Sequence, residues 1–254
     1  MIPEGDPNTF IRSLYGCEAS EIRETVLLIY KNETMEALKQ RADTVKEFSG
    51  FFKGFEASFG SKAVSVFSLR VGSPMASDCT YFLRFTPCRN IVYTGLIGAL
   101  QQQIRIGDLI VPTSAFRGEG ASRYFIDESY PAVADFSLLR TLASTLEEVY
   151  ANSGISIYYG PIYTTDSFAS ETEEFLRHWR SKNLLGIEME TSAIYTVASL
   201  HGLRASAVHI VSDNPIIQKT FFHTIPEEDK ARRRTCEALL VETLIRLIRG
   251  VKIT

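Results

Sequence analysis

Residues 183–215 read N-L-L-G-I-E-M-E-T-S-A-I-Y-T-V-A-S-L-H-G-L-R-A-S-A-V-H-I-V-S-D-N-P. Asn183 to Met189 reads as a strand. Glu190 to Leu200 is rich in Ala and Ser and apolar on most sides, which predicts a buried helix ended by Gly202. Arg204 to Ser212 is the next strong strand. Strand, buried helix and strand in succession form the unit from which helix-covered sheets are built.

The alternation extends upstream. Thr25–Tyr30, Ala63–Leu69, Asn90–Thr94, Leu109–Phe116 and Ile155–Thr165 read as strands, with Gly95 and Gly98 ending the one at Thr94. Helices are predicted over Glu33–Phe48, from Ser73-Pro74 through Leu83, and over Phe136–Tyr150 and Glu171–Arg180; Ser73 is the expected N-cap and Pro74 the first helical residue. Downstream, Thr224 and Glu227 have capping-box spacing and open a C-terminal helix with an apolar face. The prediction is a single α/β domain over residues 25–254, with a twisted, mixed, mostly parallel central sheet flanked by helices. Residues 1–24 read as an N-terminal arm or a short helix leading into the fold.

Composition narrows the function. The chain has 254 residues, 27 Lys+Arg against 30 Asp+Glu, a net charge of −3, 45 % hydrophobic and 22 % charged residues, as in ordinary globular proteins. That balance argues against a nucleic-acid partner. No run of about 18 apolar residues occurs, so no membrane span is expected. Cys17, Cys79, Cys88 and Cys236 show no metal-ligand spacing, so neither a metal nor a disulfide framework is expected, and a reducing cytoplasmic location is the default. No cofactor is expected, and the partner is a small molecule or a second copy. A G-x-S-x-G elbow and a Walker A loop are absent.

In open α/β sheets ligands bind beyond the carboxyl ends of the strands. Asp213 stands at such an end, as a buried general acid or as the Asx-turn that closes the strand. Glu188 and Glu190 flank a helix start, where a carboxylate is stabilised by the dipole without any ligand; the residues alone favour that simpler role. Phe168 is either a core ring or a ring that stacks on a base. Arg117-Gly118-Glu119-Gly120 is a cation in flexible backbone or a strand-end turn. Gly72-Ser73-Pro74 offers free N–H groups to an anion, as many helix starts do without binding one.

Taken in order, Gly72-Ser73-Pro74, the Gly95/Gly98 loop followed by Gly107-Asp108-Leu109-Ile110-Val111-Pro112, Glu188-Met189-Glu190 and Ser212-Asp213 resemble the nucleoside phosphorylase and nucleosidase family. Its members cleave the bond between ribose and nucleobase. Within it, Ile106–Ser122, Tyr163-Thr164-Thr165, Ile187–Thr191 and Val211–Pro215 are most similar to the catalytic domain of AMP nucleosidases. The resemblance implies that Glu190 binds the ribose hydroxyls and stabilises an oxocarbenium-like sugar, with Met189 beneath it. It implies that Asp213 protonates a leaving purine, that Phe168 stacks on the base and that the Ala169 backbone bonds its edge. Glu188, Thr94, Gly95 and Ser212 complete the implied substrate site, and Gly72, Ser73, Arg117 and Arg123 the implied phosphate site.

Departures from the family bear on the acceptor. Its phosphorylases carry G-D-P-x-R after the first strand, where this chain reads Ile29-Tyr30-Lys31-Asn32-Glu33. A second phosphate-binding Arg appears as Tyr93, and a loop Thr as Leu96. Glu33 in place of a cation opposes a phosphate dianion by about 1 kcal/mol or more. The expected reaction is therefore hydrolysis of a purine nucleoside or nucleoside 5′-phosphate, with Glu33 activating water. Phosphorolysis, with phosphate held by Ser73, Arg70 and Arg117, is the alternative, and an inactive nucleoside-binding protein the second. A 5′-phosphate would meet Arg117, Arg123, Lys219 and His223. The pyrimidine branch's Gln and Arg pattern is missing between Thr165 and Arg180, which favours a purine. Family members are usually dimers or trimers of dimers, and the aromatic-rich stretch Phe48–Phe59 is expected at such an interface or in the core.

Overall fold

The structure, a computed structural model, describes residues 6–220 and 224–250. In chain order the helices are α1 (Pro7–Tyr15), α2 (Asn32–Arg41), α3 (Ser73–Leu83), α4 (Phe136–Tyr150), α5 (Glu173–Arg180), α6 (Thr191–Leu200) and α7 (Glu227–Gly250). The strands are β1 (Thr25–Ile29), β2 (Thr44–Ser49), β3 (Lys53–Phe59), β4 (Lys62–Ser68), β5 (Asn90–Ala99), β6 (Leu109–Arg117), β7 (Ala132–Val133), β8 (Ile157–Thr164), β9 (Gly186–Glu188) and β10 (Arg204–Asp213).

Strand β1 lies between β4 and β5, parallel to both, and β4 continues antiparallel through β3 to β2. On the other side β5 pairs in parallel with β10 and antiparallel with β9. Strand β9 runs parallel to β8, β8 parallel to β6, and β6 antiparallel to β10. This circuit returns to β5, so half of the mixed sheet closes into a ring with no free edge. Between Val211 and Asp213 the β10 register slips by one residue against Ile97 and Gly98, a bulge that re-aims the side chains at the strand end.

Apolar stripes of the helices cover both faces. One core layer holds Ile11, Tyr15, Cys79, Leu83, Ile194 and Ala198 from α1, α3 and α6. The other holds Leu38, Leu142, Leu146, Leu244 and Ile248 from α2, α4 and α7. The N-terminal segment thus forms a docked helix, whose Tyr15 hydroxyl donates to the Cys79 carbonyl at 2.5 Å. All four cysteines are free and buried.

Several element boundaries differ from expectation. The helix predicted over Glu33–Phe48 stops at Arg41, because Thr44 and Val45 favour extended backbone and pair with β3. Phe48, Phe52, Phe55 and Phe59 are buried in the same chain, which leaves Phe51 as the exposed ring of that stretch. Strand β5 runs through Gly95 and Gly98 to Ala99 instead of ending at Thr94. A Cβ at Gly95 would lie 2.6 Å from the Tyr93 hydroxyl, so the glycine makes room inside the strand and does not break it. The N-cap of α3 is Gly72, at φ 112°, and not Ser73.

Candidate active site

The carboxyl ends of β5, β9 and β10 and the loop between β8 and α5 enclose a cavity of about 250 Å³. Its polar lining is Tyr30, Tyr93, Glu171, Glu188, Glu190, Ser212 and Asp213, and Phe168, Met189, Leu96, Ile97 and Ile187 are among its apolar walls.

Glu190 is the N-cap residue of α6, in non-helical backbone and with no capping bond from its own side chain. The neighbouring Glu188 caps instead: one of its oxygens accepts from the Glu190 and Thr191 backbone N–H groups, each at 2.8 Å. Its other oxygen accepts from the Thr164 hydroxyl at 2.5 Å. The dipole-stabilised role therefore belongs to Glu188, and Glu190 is free to face the cavity. There its two oxygens accept from Gly72 N–H at 2.6 Å and from the Tyr93 hydroxyl at 2.9 Å. Burial, then the charge of Glu190, pushes Glu188 up to about 8. Burial raises Glu190 as well, against the pull of its hydrogen-bond donors.

Asp213 ends β10 just beyond the bulge and is 6 % exposed. It accepts from the Ser212 hydroxyl at 2.7 Å. Burial raises its pKa, while Ser212 and the positive charge of Arg233 oppose the shift. The cavity thus pairs a carboxyl group that tends to keep its proton with a second one, Glu190, that is braced by two donors. Every charged side chain among its lining residues is acidic.

A wider trough of about 970 Å³ adjoins the cavity along Tyr30, Val71 and Leu96 and carries Lys31, Lys39, Lys53, Arg70 and Arg233 beside Glu33, Glu36 and Glu47. Lys31 and Arg233 both pair with Glu237, and Lys39 with Glu36 and Glu47.

Several residues expected at a site stand elsewhere. Arg117 is buried and donates to the carbonyls of Ile126, Asp127, Glu128 and Tyr130 and to the Ser122 hydroxyl. Its hydrogen-bonding capacity is committed to holding that loop, which corrects its assignment to phosphate. Glu119, fully buried, accepts from Ser122 and Ser192, so Arg123 pairs with Glu128 at 2.9 Å instead. Gly72 N–H is engaged by Glu190, and the Ser73 hydroxyl donates to the Met189 carbonyl at 2.6 Å. Neither is left for an anion, and both brace the Glu188-Met189-Glu190 turn. Thr94, Gly95 and Ala169 do not line the cavity; on β5 Tyr93 faces it instead. Glu33 is exposed on α2 in the trough, outside the cavity. Lys219 pairs with Asp229 at 2.6 Å, and His223 lies outside the described residues.

Glu171 is a cavity residue that sequence reading placed inside a helix. Thr172 is the N-cap of α5, its side chain accepting from Phe175 N–H. Reading Thr172 as that cap would have left Glu171 in the loop.

Behind the site, fully buried His209 meets the Thr191 hydroxyl at 2.8 Å and lies edge-on to the Tyr93 ring. Burial lowers its pKa to about 3. The folded protein keeps His209 neutral while an unfolded chain takes up a proton below about 6.5. Its contribution to stability is therefore present above that pH and is lost as pH falls toward the folded value. His209→Gln is expected to flatten the fall of Tm between pH 6.5 and pH 4, measured by thermal unfolding; a slope equal to wild type would remove His209 from the acid response.

A family model described as the Phosphorylase superfamily matches residues 26–249. A guanosine phosphorylase from Halorubrum lacusprofundi is 32 % identical over 163 residues, which are 64 % of this chain and 66 % of that protein. A uridine phosphorylase from Haemophilus influenzae is 30 % identical, over 62 % of this chain and 66 % of that protein. The match thus spans just under two thirds of either relative. A purine nucleoside phosphorylase of Geobacillus kaustophilus is 29 % identical over 78 % of this chain and 84 % of its own length. Among solved structures, uridine phosphorylase from Vibrio fischeri shares the fold with a TM-score of 0.79 at 24 % identity, over 91 % of this chain and 93 % of that one.

Proposed function

This chain belongs to the phosphorylase superfamily, and on that footing we propose that it cleaves the N-glycosidic bond of purine nucleosides, with inorganic phosphate as the ribosyl acceptor. The observation that carries the reading is the placement of Glu190 and Asp213 in one cavity. Cleavage develops positive charge on the ribose and negative charge on the departing base. Glu190, fixed by Gly72 and Tyr93, is suited to bind the ribose hydroxyls and stabilise the first charge. Asp213, inclined by burial to hold its proton, is suited to neutralise the second. Phe168, 52 % exposed beside them, offers a face to an aromatic base.

Phosphate as acceptor is supported by the phosphorylase names of the relatives and by Arg70 and Lys53. Both line the trough next to the cavity, and neither forms an ion pair among the described residues. One observation favours water instead: among its lining residues the cavity has no cation, and four carboxyl groups oppose a dianion there. The two readings separate by product. Incubating the protein with inosine, guanosine, adenosine, AMP and uridine, with and without phosphate, is expected to give ribose 1-phosphate and a free purine only when phosphate is present. Free ribose formed at the same rate without phosphate assigns water as the acceptor. No base released from any substrate overturns the proposal.

A further inference from the structure

We propose that Glu119, buried outside the cavity, is a positioning residue for Glu190, acting through a row of hydrogen bonds by way of Ser192, Thr164 and Glu188. The inference rests on the purine-cleavage reading above and extends it to residues that do not touch the substrate.

The row begins in the segment Arg117-Gly118-Glu119-Gly120, whose members stay out of the cavity. Arg117 Nε donates to the Ser122 hydroxyl at 2.9 Å, and that hydroxyl donates to Glu119. The same carboxylate accepts from Ser122 N–H at 2.8 Å and from the Ser192 hydroxyl at 3.1 Å. Ser192 is the second residue of α6, and its backbone N–H donates to the Thr164 hydroxyl oxygen at 3.0 Å. Thr164 in turn donates to one oxygen of Glu188, whose other oxygen takes the Glu190 and Thr191 N–H groups. Glu119, Ser122, Thr164 and Ser192 are fully buried, and none of them lines the cavity.

Stability alone is a weak reason for such an arrangement. A carboxylate taken out of water loses its hydration, and well-packed apolar side chains of similar volume often stabilise a core as well or better. A buried carboxylate does fix its donors in one arrangement. Glu119 holds Ser192 while Glu188 holds Glu190 and Thr191, with Thr164 joining Ser192 to Glu188, so the first turn of α6 is tied at consecutive residues. Glu190 is the N-cap of that turn, and its own carboxylate meets Gly72 N–H and the Tyr93 hydroxyl. A displacement on the order of 1 Å at a group facing the reacting atoms can lower a rate about a hundredfold, even when its cause lies far from the chemistry.

The test uses the full chain with inosine and guanosine in the presence of phosphate. The values of kcat, KM and Tm are measured for Glu119→Gln, Thr164→Val, Thr164→Ser and Ser192→Ala, each in wild type and in a Glu190→Gln background. Glu119→Gln and Thr164→Val are expected to lower kcat about tenfold to a hundredfold with KM changed less than about threefold. Thr164→Ser keeps the hydroxyl and is expected to stay within about threefold of wild type. In the Glu190→Gln background the first two substitutions are expected to lower kcat less than about threefold, because the group they position is already lost, while their effect on Tm persists. Equal kcat losses in the two backgrounds, or a lower Tm with kcat unchanged, make the row structural only and overturn the inference while purine cleavage stands. Should Glu119→Gln and Thr164→Val fail to fold, Ser192→Ala decides, since it cuts the same row with a smaller change: about a fivefold fall in kcat is expected, and an unchanged kcat overturns the inference. A wild type that cleaves no purine overturns the functional reading, and the inference falls with it.

Discussion

Asp213→Asn is expected to lower kcat by about a hundredfold to ten-thousandfold, with a far smaller change in KM. The amide is nearly the same size and can keep the Ser212 contact, so substrate still fits. It has no proton to give to the departing base. The pH profile supplies a second readout. The proposed acid role needs Asp213 in its protonated form, and burial raises its pKa, so activity that depends on it is expected at low pH and is expected to be lost as pH rises through that value. In Asp213→Asn this limb should vanish from the kcat profile. An unchanged rate on purine substrates would remove Asp213 from the mechanism, and a changed KM at constant kcat would make it a binding group only.

Glu190→Gln is expected to cost about a hundredfold to a thousandfold in kcat/KM. Both carboxylate oxygens of Glu190 accept hydrogen bonds, one from Gly72 N–H and one from the Tyr93 hydroxyl. A glutamine oxygen can serve one of them; its NH₂ must then face the other donor, so the side chain swings from its place. The substitution also removes the negative charge that opposes the charge developing on the ribose. Steady-state kinetics checks the size of the loss, and thermal unfolding checks that the fold survives. Removing one buried carboxyl relieves Glu188 of its neighbour's charge, so Tm is expected to fall less than activity. A kcat/KM within a fewfold of wild type would assign Glu190 to the fold alone.

How far these roles were legible in the chain depends on the range of the interactions that set them. Helices α4 and α6 and the apolar cores of β1 and β10 follow from local periodicity, and structure and sequence agree on them. The α2–β2 boundary was hidden because Glu33 to Arg41 is good helical sequence and the strand beyond it is stabilised by pairing with β3. Closure of the ring was hidden because it depends on β10 meeting both β5 and β6, which no local pattern encodes. In the site, order of motifs singled out Glu190 and Asp213. Which of the two neighbouring glutamates caps α6 was not legible, since Thr164, distant in sequence, holds Glu188 in that position. Arg117 resembled a ligand-binding cation until its surroundings were known: four loop carbonyls turn it into a brace.

The one-residue slip in β10 makes the acid's position a question of chain length. Against Ile97 and Gly98 the strand is one residue longer than a regular ladder requires, and Asp213 sits just past the surplus. Across the slip Asp213 keeps Gly98 as its partner, and a Cβ built on Gly98 would lie 3.5 Å from its carboxylate, so the strand absorbs the surplus residue while the carboxyl group stays on the face that Gly98 presents to the cavity.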